Sequence, residues 1–160
     1  MVIRHLFANA TRTVLVSCFA LYQAHYIFKP LADRIDEIPS LRVKIFLNVS
    51  RPAHVEFSEA QLLRQFVETF RTDHWPHQKI PELFYDRRSL LADADKRASL
   101  HAKCVVVDEE RALITSANFT EAAQERNIEA GVLLSIPSIA RALCSQFENL
   151  VSRGILKRII

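Results

Sequence analysis

The chain has 160 residues, 49% hydrophobic and 24% charged, an ordinary balance for one soluble globular domain with a real core. Two glycines and one methionine leave no glycine-rich phosphate loop, which excludes P-loop nucleotide hydrolysis and dinucleotide binding of the usual kind. The net charge of +3 is mildly basic and compatible with a polyanionic partner.

Cys18, Cys104 and Cys144 lie far apart in apolar contexts, with neither CxxC nor Cys/His ligand spacing, and read as buried free thiols of a reducing compartment. Arg4 and His5 are followed by no apolar core leading to a small-residue cleavage site. The apolar run from Val14 to Phe28 is interrupted by Ser17, Gln23 and His25 and falls short of a membrane span. The expectation is a cytoplasmic protein with no membrane insertion, in which the sequons at Asn9, Asn48 and Asn118 are chance.

Thr13 to Phe19 predicts a buried first strand. Ala24, Phe28, Leu31 and Ile35 fall at helical spacing within 21–38, where Pro30 predicts a kink or a later start. Leu41 to Val49 predicts a second strand, ended by Arg51-Pro52. Ser58 opens the next helix, with Gln61 at capping-box spacing and an apolar stripe of Leu62, Leu63, Phe66, Val67 and Phe70. That helix ends across Asp73 to Pro76, and Glu82 to Tyr85 forms a brief strand. Residues 86–99 make a polar loop carrying Arg87, Arg88, Lys96 and Arg97, either solubilising or gripping a nucleic-acid backbone.

A hairpin turning near Asp108 to Arg111 follows, then a short helix over 119–126 and a strand over 127–135. Pro137 suits the first turn of a last helix, whose apolar side is Ala140, Leu143, Cys144, Phe147, Leu150 and Val151. Gly154 stands at its C′ position, before a final strand over 155–160. Strands alternating with helices predict an α/β fold, a mixed β-sheet flanked by helices, as one domain over 1–160 with its core from about residue 12.

The chemistry concentrates in His101-Ala102-Lys103-Cys104-Val105-Val106-Val107-Asp108, continued by Thr115-Ser116-Ala117-Asn118. Alternate side chains of a strand share a face, so His101 pairs with Lys103, and Ser116 with Asn118. A hairpin sets the two pairs side by side around a point suited to a phosphate. Asn127 and Glu129 share a face of the next strand.

The spacing H-x-K-x4-D-x6-T-S-x-N resembles the HKD signature of the phospholipase D superfamily, and Asn127-Ile128-Glu129 resembles the N-x-E segment that follows it. The run from Ser99 to Gln124 resembles the phospholipase D-like component of bacterial DISARM phage-defence systems. Thr115 departs from the signature, which usually has Gly there. The resemblance implies a phospholipase D-like fold and a phosphodiesterase that needs no cofactor and no metal. In it His101 is the nucleophile or proton carrier, and Lys103, Ser116 and Asn118 bind phosphate oxygens. Glu129 orients a histidine ring, and Asp108 supports the site from outside. Arg87 and Arg88 are candidate substrate contacts.

The mechanism needs two such histidines, and His5, His25, His54, His74 and His77 lack the signature. The expectation is therefore a homodimer sharing one active site. Its substrate is nucleic acid, DNA first, as an endonuclease in antiviral defence, alone or in a larger defence complex. The alternatives are a phospholipase acting on membrane lipid and a non-catalytic nucleic-acid-binding subunit. His74 and His77 flank Trp75-Pro76 without a third metal ligand and read as a helix-ending loop. Trp75 and Tyr85 offer base stacking, or packing in the core or at a dimer interface.

Overall fold

A computed structural model describes residues 1–52 and 56–160. It contains α1 (Val2–Ala8), β1 (Thr13–Cys18), β2 (Leu21–Tyr22), α2 (His25–Glu37), β3 (Arg42–Leu47), α3 (Glu59–Thr69), β4 (Glu82–Asp86), β5 (Cys104–Val107), β6 (Arg111–Thr115), β7 (Phe119–Thr120), α4 (Glu121–Glu125), β8 (Gly131–Leu134), α5 (Pro137–Ser152) and β9 (Leu156–Arg158). Seven strands form one mixed sheet in the order β8-β6-β5-β1-β3-β4-β9, and β2 and β7 form a small second sheet. Strands β1, β3 and β4 are parallel, while β5, β6, β8 and β9 join antiparallel.

Period-two alternation divides the core between the two faces of the sheet. Val14, Val16, Val43, Ile45, Val105 and Val107 join one cluster with Ile3, Phe7, Phe28 and Leu31 of α1 and α2. Leu15, Phe46, Phe84 and Val106 join another with Ala140 and Phe147 of α5. Trp75 and Tyr85 are buried, which overturns base stacking for both. Trp75 stacks with Phe70 and its indole N–H donates to the Lys79 carbonyl at 2.9 Å, while the Tyr85 hydroxyl donates to Glu59.

Local chemistry sets the ends of the helices. The Ser58–Gln61 capping box forms as expected. After α5, Gly154 takes φ +69°, with Gly154 N–H on Val151 O and Ile155 N–H on Leu150 O, the paired bonds of a Schellman end. The sequence reading overextended several elements. Helix α2 starts at His25, because Leu21 and Tyr22 pair with β7 instead. The strand expected over 127–135 shrinks to Gly131–Leu134, and the helix over 119–126 to Glu121–Glu125. Pro30 lies inside α2, where the Tyr26 carbonyl that it cannot satisfy accepts from the Arg4 guanidinium of α1, a helix the sequence reading did not foresee.

Candidate active site

His101 and Lys103 lie in the extended approach to β5 rather than in the strand, and Ser116 and Asn118 lie just past β6. The Thr115 N–H donates to the Lys103 carbonyl at 3.1 Å, so the ladder runs one step past β5 and still brings the two pairs together. The place is the end of the sheet where parallel β1 and β3 finish, the usual position of ligands on open α/β sheets.

His101 is exposed, and its ring sits 4.6 Å from that of Phe19, between centroids. The Lys103 ammonium lies 3.3 Å from His101 Nδ1 and 3.1 Å from the His101 carbonyl. It also stands 5.6 Å from the Phe19 ring centroid. Phe19, just past β1, thus forms a wall of the site that the sequence did not reveal, since only the β1–β5 pairing brings it there.

Ser116 and Glu129 hold each other. The Ser116 hydroxyl donates to the Glu129 carboxylate and accepts from the Ala130 N–H at 3.0 Å, while the Ser116 N–H donates to the Ala130 carbonyl at 2.9 Å. Glu129 therefore faces Ser116, and among the described residues its contact is not with His101 of the same chain. The Asn118 carbonyl accepts from Gln124 at 2.9 Å, while its side-chain Oδ1 is buried without a partner among the described residues.

Asp108 is at the opposite end of β5. Its carboxylate receives the N–H groups of Thr11, Arg12 and Thr13 and the Thr11 hydroxyl, at 2.6 to 3.2 Å. Burial opposes its charge, but those donors outweigh burial and hold the carboxyl below its usual range. Asp108 touches no reacting group and ties the β5–β6 turn to the start of β1.

The two arginines expected to contact substrate part company. Arg88 forks onto buried Asp86, at 3.0 and 2.7 Å, on the wall of a 420 Å³ groove that also includes His101, Lys103, Leu143, Phe147 and Leu150. Arg87 is exposed and lies outside that groove. Lys96 pairs with Asp93, and Arg97 donates to the Leu91 and Ala92 carbonyls, so this pair ties its own loop together. His77 sits between Asp33 and Asp36. Of the other histidines, His54 lies outside the described residues. Burial pushes the three free thiols up, Cys104 to about 12 and Cys144 to about 11. Among the described residues, no group of three or more His, Cys, Asp or Glu side chains is placed to hold a metal, and no helix is long and apolar enough to cross a membrane.

The family description "Cardiolipin synthase, PLD-like domain" matches residues 3–151, and the chain belongs to this phospholipase D-like family. Among solved structures it is similar to Nuc, a phospholipase D family member from Salmonella typhimurium, at 17% identity and TM-score 0.62, over 98% of this chain and 88% of that one. It is similar to NucT from Helicobacter pylori at 12% identity and TM-score 0.65, over 94% and 86%. Phosphatidylserine synthase from Haemophilus influenzae Rd KW20 matches at 21% identity and TM-score 0.61, over 98% of this chain but 36% of the synthase. No curated protein matches. At these identities the likeness is one of fold.

Proposed function

We propose that the chain is a phosphodiesterase that cuts DNA without a metal, through a phosphohistidine, in a site shared by two copies. The observation that carries this reading is an exposed His101 with an ammonium 3.3 Å from its ring and no second signature histidine in the chain. Nε2 of one His101 attacks phosphorus, and the bond from phosphorus to the leaving oxygen breaks. The protonated His101 of the second copy gives that oxygen its proton. The second ring then takes a proton from water, whose oxygen attacks phosphorus and frees the first histidine. Lys103 and Asn118 from each copy neutralise and bind the non-bridging oxygens.

An attacking Nε2 needs its proton on Nδ1 and an acceptor for it, so the Lys103 ammonium, 3.3 Å from Nδ1 in the single chain, moves onto the phosphate oxygens when substrate binds. Within one chain Glu129 faces Ser116 and not His101, so Glu129 of the second copy, released from its own Ser116 on pairing, is the carboxylate assigned to that acceptor role. Its transfer to the histidine also frees the Ser116 hydroxyl to donate to phosphate. The surface beside the half-site supports pairing. Edge strand β8 is largely exposed, with Val132 at 54% and Leu133 at 48%, and nearby Ile128 is fully exposed. The likeness of Ser99 to Gln124 to the DISARM component extends the proposal to phage defence within a larger complex.

The same apolar edge and the apolar groove beside His101 favour a second reading, hydrolysis of a membrane phospholipid. Incubation in excess chelator with plasmid, single-stranded DNA and phospholipid vesicles separates the two. Cleavage of DNA by the wild type and none by His101→Ala is expected. Vesicle hydrolysis with intact DNA supports the lipid reading, and DNA binding without cleavage supports a non-catalytic subunit.

A further inference from the structure

A cleft of about 680 Å³ lies away from His101, at the end of the sheet where β1 and β3 begin and the β5–β6 turn closes. Five residue steps of extended chain lead from Lys103 to Asp108, about 17 Å at strand rise. Four arginines line the cleft, and each comes from a different element: Arg12 before β1, Arg42 opening β3, Arg111 opening β6 and Arg141 on α5. Arg12 is committed, donating to Glu110 and to the Asp108 carbonyl at 2.7 Å each. Among the described residues the Arg42, Arg111 and Arg141 side chains make no ion pair.

Three guanidinium groups thus line one concavity without an ion-pair partner among the described residues, and their forked donors match phosphate oxygens. The first turn of the 16-residue α5 opens on the same cleft. Pro137 brings no N–H, and Ile136 supplies no side-chain cap. The positive end of the helix adds to the arginine field. The carboxylates present are accounted for in part: Asp108 is saturated by backbone donors and Glu110 is held by Arg12. Glu109 stands exposed on the lip of the turn. Carboxylates at the rim oppose a long polyanion crossing the cleft, but accept hydroxyl donors from a compact one.

We infer that this cleft, formed by Arg42, Arg111, Arg141 and the start of α5, is a second site that binds a compact phosphate monoester whose remaining hydroxyl groups meet the rim carboxylates. It is separate from the phosphate site at His101 and takes no part in the bond cleavage proposed there.

The test is calorimetric titration of the whole chain carrying Lys103→Gln, which weakens phosphate binding at the His101 site, with adenosine 5′-monophosphate and with adenosine. Saturable binding of the monophosphate and none of adenosine is expected. Adding Arg42→Gln and Arg141→Gln, both at exposed positions that leave the core intact, should weaken the monophosphate by about tenfold or more. Absence of saturable binding overturns the inference. So does binding that survives the double arginine change, or a short DNA duplex that binds through the same arginines more tightly than the monophosphate. Nuclease activity is measured separately through His101, so failure of one reading leaves the other standing.

Discussion

Thr115 on β6 and Gly131 on β8 face each other in the sheet, and the one has room for a side chain because the other has none. A Cβ on Gly131 would stand 3.1 Å from both Cβ and Oγ1 of Thr115 and 3.0 Å from the Ile114 carbonyl. The signature's usual glycine at position 115 has thus been exchanged for a threonine that glycine accommodates across the ladder. Thr115 uses its hydroxyl to accept from the Ala117 N–H at 3.1 Å and to donate to the Ala130 carbonyl at 3.3 Å, which braces the turn carrying Ser116. Gly131→Ala should cost about 1–3 kcal/mol through overpacking. Thr115→Gly in the same chain should recover part of that, the Ile114 contact remaining. Denaturant midpoints of the four proteins give the coupling, and equal cost in both backgrounds refutes the pairing.

Asp108 carries the signature's carboxylate but works on the fold. Asp108→Asn replaces an acceptor of several N–H groups by a side chain with one acceptor, and should cost about 2–3 kcal/mol. Because its folded carboxyl lies below the usual range, its stabilisation is complete above the ordinary Asp value of about 3.9 and fades as pH falls through the folded value. The stability gap between wild type and variant should therefore be flat from about pH 5 to 8 and close at lower pH. Turnover per folded molecule should stay near wild type, and a hundredfold loss of turnover would return Asp108 to the chemistry.

The sequence carried the site further than it carried the boundaries. Fixed spacing names His101, Lys103, Ser116, Asn118 and Glu129 because a hairpin is a local structure, with partners about a dozen residues apart. Phe19 beside His101 was not legible, since it depends on β1 lying next to β5 across more than eighty residues of chain. Nor was the hold of Ser116 on Glu129, because period-two reasoning extended the strands back through 101–103 and 127–130, which precede the regular strands β5 and β8. The α1 helix escaped notice because its seven residues are too few for periodicity to stand out. Its contribution is tertiary.

That contribution centres on Pro30. The missing proline N–H leaves the Tyr26 carbonyl without its helical donor, and the Arg4 guanidinium takes the place while lying 3.7 Å above the Tyr26 ring. Arg4→Ala should destabilise by about 1 kcal/mol. In a Pro30→Ala background, where position 30 regains its own N–H, the same change should cost less. Thermal unfolding of the four proteins measures the difference, and an identical Arg4→Ala cost in both backgrounds removes the link.

The shared site makes a numerical prediction. If one site uses His101 from both copies, an equal mixture of wild type and His101→Ala, after subunit exchange, contains about one quarter wild-type pairs by random assortment. Specific activity should then fall to about one quarter of that of wild type alone at the same total concentration. If each chain cuts by itself, the mixture retains about half. The exchange is verified by mixing differently tagged copies and isolating the mixed species. Half-activity in a fully exchanged mixture, or an active monomer in sedimentation, refutes the shared site. A quarter places both histidines on one phosphate, which requires the two exposed half-sites to face each other across a twofold axis.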